Sequence, residues 1–352
     1  MEKKLFLCFS LLIILLSCKN TTKHNETTIT TVNTLFICNL NENKEIISQI
    51  DDADFLNDST FIVVSNKQII KYSTSGDQIS IITHIGNAPH EYITPSLISV
   101  CDSSIFVWCS SSLKLIQYNT EGEFINAITD YRKAIKNFAV YNNEFVFFYK
   151  NDGTKEGIID VYDIKKKQIT ASVGNYSDED LLLLMMKFTP EIIIRDNYAY
   201  FIRPSNLNIY RFNANDFKLE TFAEIKDKEY SISKVDNAKN IINTQREKAF
   251  EYIYKNSLTD NLFHVDNGLI VKSEIGEYVI DERKKEINRS YRFNKFYLWN
   301  DGQLNNVWKT TVSPCHYTYI NYKDSVFVIQ NTLYNEVVPN KLFKIIFTNE
   351  IS

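Results

Sequence analysis

From Val32 onward the chain alternates short apolar runs with polar turns, and the runs have the length and period of strands rather than helices. The clearest unit is CDSSIFVWCSSSLKLIQYNTEGEFINAI, residues 101–128. A polar turn at 102–104 leads into an alternating run at 105–109. A second run follows at 114–118, then a turn at Gly122, then a third run. β-Branched and aromatic residues bounded by Asp, Asn, Ser and Gly are the mark of strands joined by tight turns.

The unit recurs. Asp58-Ser59-Thr60 leads into FIVV and then 69–79; Asn142-Asn143-Glu144 into FVFFY and 159–169; Asp196-Asn197-Tyr198 into AYFI and 208–219. Asp266-Asn267-Gly268 leads into LIVK and YVIDERKKEI (278–287), and Asp324-Ser325 into VFVI and 341–347. The turns at 58, 102, 142, 196, 266 and 324 lie 44, 40, 54, 70 and 58 residues apart. A stacked solenoid does not tolerate such variation, whereas a propeller does, because loops grow at either face of a blade without disturbing its sheet.

A further apolar run stands ahead of the turn in five copies, at 97–100, 138–141, 192–195, 262–265 and 317–322. Four strands per unit and six units predict an all-β fold: a six-bladed β-propeller over residues 32–352, with short helical insertions in inter-blade loops. Only five residues follow Phe347, so the sixth unit lacks an outer strand, and the orphan run at 35–40 is expected to supply it and close the ring.

Two inter-blade connections carry helical periodicity. In 226–261, Val235, Ala238, Ile242, Ala249 and Ile253 recur near 3.6-residue spacing, with Ser233 or Asp236 as cap. A second helix is predicted from Asp178, with Ser177 and Asp180 in capping-box positions ahead of a run of leucines. The connection at 289–314 reads as a long loop rich in aromatics.

The N-terminus changes the picture. Lys3 and Lys4, an apolar stretch at 5–16 and Ser17 ahead of Cys18 read as a signal peptide covering 1–17. The order Leu15, Leu16, Ser17, Cys18 resembles the lipobox of bacterial lipoproteins, which makes Cys18 the expected lipidation site and 18–31 a polar tether. Loss of Glu2, Lys3 and Lys4 takes the formal charge from -4 to -5 (-4 minus +1), and nothing basic enough for nucleic acid remains. Cys38, Cys101, Cys109 and Cys315 then read as buried free thiols, with three disulfide connectivities as the alternative.

The loop Ile85-Gly86-Asn87-Ala88-Pro89-His90-Glu91-Tyr92 resembles the IGxGPGEY signature of six-bladed propeller lipoproteins of Gram-negative bacteria, and YVIDERKKEI resembles that family's YVYD strand. Ala88 and His90 stand where the signature has glycine. The resemblance implies a propeller borne by an outer-membrane lipoprotein, on the periplasmic side or at the cell surface, and no inherited activity.

Candidate chemistry is sparse. No GxSxG, HExxH, Walker loop or paired CxxC occurs, and no catalytic residue, metal ligand or cofactor is assigned. The face formed by inter-blade connections is the expected ligand mouth. His90, Glu91 and Tyr92 are its first candidates, the alternative being that Tyr92 packs between blades while Glu91 fixes the turn. Trp299 and Trp308, among the loop aromatics, are candidates for a platform that stacks on a sugar or peptide. Of the histidines His24, His84, His90, His264 and His316, His264 sits on an inner strand and His316 immediately before another, positions from which they could face the axis. Two function classes remain: a membrane-anchored binding or scaffold module for a protein or carbohydrate ligand, and a metal-dependent propeller hydrolase or lyase drawing its ligands from several blades.

Overall fold

Tight hairpins require a left-handed backbone, which Asp and Asn adopt more readily than other non-glycine residues. At the repeated turns Asp102, Asn142, Asn143, Asp196 and Asn197 have φ between 49° and 63°. The turns therefore reverse the chain where the sequence places them.

The computed structural model describes residues 30–41, 49–65, 68–185, 190–266, 268–276, 279–281, 286–288, 292–311, 317–331 and 339–347. It is a six-bladed propeller. Blades one to four are separate four-stranded antiparallel sheets whose strands follow chain order from the axis outward. Blade one runs from Ile50–Asn57 at the axis to Gln78–Ile82 at the rim, and blade four from Ile193–Arg195 to Leu219–Ala223. Each blade buries both faces against its neighbours, so the core is a set of inter-blade layers rather than one centre.

Closure follows the expectation drawn from the orphan run. Strand Thr30–Asn39 pairs antiparallel with Lys341–Phe347, Val32 opposite Phe347 and Asn39 opposite Lys341, and completes blade six. At the start of this strand Thr30 and Thr31 also pair in parallel with Trp308 and Lys309 of blade five. Near the axis the same seam is fixed by Asn331 and Thr318. Asn331 accepts the Ile50 N–H at 3.0 Å, and both side chains donate to the Ile50 carbonyl.

Blade five corrects the sequence reading. Its inner pair is Leu258–Val265 and Gly268–Ile275, but the next strands are Phe293–Asn300 and Gln303–Thr311. The stretch read as its third strand forms a separate hairpin, Val279–Asp281 with Glu286–Asn288. The supposed loop at 289–314 is thus half of a blade, turned by Asp301 and Gly302 at φ 50° and 75°. An Asp-Gly pair between aromatic-rich runs is a type I′ hairpin signal, here masked by the inserted hairpin before it.

Helix α1 (Asp178–Leu183) begins with the expected capping box between Ser177 and Asp180, and Leu181 to Leu184 are buried. The helix expected in 226–261 is two, α2 (Ala238–Thr244) and α3 (Arg246–Lys255). Thr244 Oγ1 donates back to the Asn240 carbonyl at 2.8 Å, a contact that bends helices, and Gln245 is non-helical at the break. Ala238 and Ala249 are buried against blades three and four, and Ile253 is buried as well, as their spacing requires.

Candidate functional site

The first candidates stand together in one loop and are used by it. Tyr92 is fully buried, and its hydroxyl donates to the Ile82 carbonyl. Glu91 accepts the Ala88 N–H at 2.8 Å, while Lys114 donates to the Ala88 carbonyl at 2.7 Å and Tyr118 to the His90 carbonyl at 2.9 Å. Gly86 holds a φ of 154° that other residues rarely adopt, and a side chain there would meet Glu91 Oε2 at 2.1 Å and push that carboxylate off the Ala88 N–H. Ala88 and His90 have no positive φ, so their departure from glycine leaves the turn intact. His90 is half exposed, its ring edge-on to His84 and Phe124. The loop leaves Ile85, Asn87, Pro89 and His90 exposed at its surface, and of the three candidates only His90 is among them.

The axial channel, about 520 Å³, is lined by the inner strands. Such strands are sheet edges with unpaired N–H and C=O groups, and buried backbone groups require partners. Asp52 accepts the Ile98 N–H at 2.8 Å and Asp54 the Val100 N–H at 2.7 Å, so alternate carboxylates of blade one stitch the edge of blade two. Burial pushes both carboxyls up to about 7, against the lowering effect of those N–H groups. Burial, then the facing Asp52 and Asp54, also raises Glu191 well above the usual carboxylate range. Among the described residues no three His, Cys, Asp or Glu side chains are grouped as a metal site.

On the opposite face, where the strand-one to strand-two turns lie, blades four and five part to leave a cleft of about 430 Å³. Blade four contributes Tyr200 and Phe222, with ring centres 5.2 Å apart and nearly perpendicular. Arg211, placed over Tyr198 at 4.3 Å and Phe222 at 4.7 Å, props this wall from behind. Blade five contributes Trp299, half buried, and the Asn300–Gly302 turn. A side chain at Gly268 would meet the Trp299 carbonyl at 2.1 Å, so glycine there lets the blade-five turns close side by side. Arg195, Asp196, Asp266 and Asp301 supply charge around the opening.

The sequence candidates are therefore not brought together. His90, Glu91 and Tyr92 lie between blades one and two, and Trp299 lies across the ring. Trp308 is buried between blades five and six against Phe347 and presents no platform. His264 lines the channel at its turn-face end. Arg195, Tyr200 and Phe222 escaped sequence reading. Tyr198 and Tyr200 alternate on one strand face, and that visible signal says only that the face is covered, not by what. Cys18, Cys315, His24 and His316 lie outside the described residues. Cys38, Cys101 and Cys109 are unpaired thiols, and burial raises all three, Cys38 to about 11 and Cys109 to about 12.

No family model matches the chain, and no curated protein matches it. Solved structures do. A Bacteroides fragilis protein provisionally described as exported superposes with a TM-score of 0.68 at 12% identity, over 92% of this chain and 98% of that one. A member of the DUF4221 family from Bacteroides vulgatus gives 0.64 at 9% identity, over 92% and 98%. At these identities the likeness is one of fold, and it extends over the described propeller.

Proposed function

We propose that the protein is an exported, lipid-anchored binding module, attached through Cys18 to the outer membrane on its periplasmic side or at the cell surface, and that it holds a glycan between blades four and five. The cleft carries this reading. Three aromatic rings line a half-open cavity whose rim alternates carboxylates with an arginine and an amide. Sugars offer apolar C–H faces that stack on rings, and hydroxyls that both donate and accept, so they satisfy such a rim. The rim sums to -2 (Arg195 against Asp196, Asp266 and Asp301), which favours neutral or amino sugars over uronic acids. The Leu15-Leu16-Ser17-Cys18 order supports the anchor, and the exported description of the Bacteroides fragilis protein agrees with it.

The test is a glycan microarray probed with the full chain carrying Cys18→Ala, beside the same chain with Trp299→Ala. Binding to at least one neutral glycan is expected, with a tenfold or greater loss in the tryptophan variant. A blank array refutes the glycan reading, and Trp299-dependent capture of a purified protein partner would replace it. Cys18→Ala should also move the protein out of the membrane fraction, and continued tight anchoring contradicts lipidation at that residue.

A further inference from the structure

Arg195, the one cation among the residues lining the cleft, is held by a group outside it. Its Nη1 lies 2.6 Å from His264 Nε2, and on the far side of the imidazole Nδ1 lies 3.2 Å from Asp324 Oδ1. Arg195 Nε is 3.3 Å from Asp196 Oδ2, at the rim. The three residues of the chain Arg195, His264, Asp324 belong to blades four, five and six. His264 itself is fixed through its backbone: its N–H donates to Asn321 Oδ1 at 2.6 Å, and its carbonyl accepts from Asn321 Nδ2 at 2.8 Å. The imidazole is thus held in place while its two ring nitrogens bridge an acid and a base.

An arginine only donates, so His264 Nε2 must offer a lone pair, and the neutral ring with its proton on Nδ1 facing Asp324 does so. Protonation at Nε2 removes that lone pair and sets two cations at hydrogen-bonding distance. Arg195 Nε already pairs with Asp196, whose carboxylate is largely solvent-exposed, so a guanidinium freed at Nη1 stays tethered to that exposed partner.

We propose that His264 is the positioning residue of the cleft: neutral, it holds the Arg195 guanidinium in the wall, and protonated, it releases it toward Asp196, so that binding weakens as pH falls through the range in which imidazoles titrate. The charged groups around the ring are Asp324 and its neighbour Lys323 from blade six, Arg195 and Asp196 from blade four, and Asp266 in the turn of blade five. The consequence for binding rests on the cleft being the ligand site, whereas the latch itself operates without ligand.

The two are therefore measured separately. In ¹⁵N-labelled full chain carrying Cys18→Ala, the Arg195 side-chain N–H signal, assigned by Arg195→Lys, should be hydrogen-bonded and slow to exchange at pH 8. It should be lost by pH 5.5, with the midpoint of the His264 ring titration. His264→Gln, whose amide oxygen can accept the same bond at every pH, should keep the signal throughout. Asp324→Asn should move the midpoint to lower pH, and it serves if the glutamine variant fails to fold. On the glycan array, wild-type signal should fall tenfold or more between pH 8 and 5.5, while His264→Gln stays within twofold. An Arg195 signal that ignores pH, or one that moves equally in His264→Gln, overturns the latch whether or not a glycan binds. A blank array with a titrating Arg195 supports the latch and removes only the glycan.

Discussion

Asp180→Ala should be among the most damaging single changes in the protein. Its carboxylate is fully buried, and every oxygen is used: it accepts from Arg203 (Nε at 2.9 Å, and Nη2), from the Ser205 N–H and hydroxyl at 3.2 and 2.6 Å, and from the Ser177 N–H at 2.8 Å. It therefore caps α1 and clamps that helix to blade four, which forms one wall of the cleft. Removing one partner of a buried ion pair costs about 3–5 kcal/mol, and the lower end applies because a fifth of the Arg203 side chain remains exposed. Loss of the cap adds about 1 kcal/mol, for roughly 4 kcal/mol in all. The assay is urea denaturation of wild type, Asp180→Ala, Arg203→Met and the double variant. The double should be less destabilised than the sum of the singles, because it leaves no uncompensated charge. A loss under about 1 kcal/mol for Asp180→Ala, below the range for a buried pair, or strict additivity in the double, would refute the reasoning.

Three further outcomes follow. Asp52 and Asp54, raised from 3.8 to about 7 in the fold, hold protons that the unfolded chain releases, so their contribution to stability falls as pH rises between about 4 and 7 and is level above. The melting temperature of Asp52→Asn/Asp54→Asn relative to wild type should accordingly climb from pH 4.5 to 7, and a constant difference would contradict the assignment. Gly86→Ala should cost about 1–3 kcal/mol through backbone strain and collision with Glu91, with partial recovery in Gly86→Ala/Glu91→Ala, read by thermal unfolding. Cys38 and Cys109 should resist maleimide labelling in the native chain and react after denaturation, as peptide mapping would show; native labelling at either would mean the layers around them open.

What could be read in the sequence was local. Turns that need Asp, Asn or Gly, the Ser177–Asp180 cap and the orphan strand at the N-terminus each carry their own chemistry, and each was found where expected. Blade five was misread because an inserted hairpin imitates its outer half, although Asp301-Gly302 signals the true turn. The inner strand of blade one, IDDADFLN, hides its strand character because Asp52 and Asp54 line the channel and accept the N–H groups of a neighbouring edge. The cleft was not legible at all. Tyr200, Phe222, Arg195 and Trp299 come from four separate strands, and only the docking of blade four on blade five makes them a site. The expected ligand mouth likewise lay on the wrong face for Trp299, since that residue sits beside a turn and not an inter-blade loop.

The claim that matters most is that the cleft between blades four and five is where the ligand sits. Calorimetric titration of the strongest array glycan into the Cys18→Ala chain measures it directly. Trp299→Ala should weaken binding tenfold or more, about 1.4 kcal/mol, because the ring loses both its stacking, about 0.5–1.5 kcal/mol, and the apolar area it buries, at about 25 cal/mol per Å², while Glu91→Ala, on the other side of the ring, should leave affinity within twofold. Equal affinity in wild type and Trp299→Ala, or loss in Glu91→Ala alone, would place the site elsewhere and contradict the account.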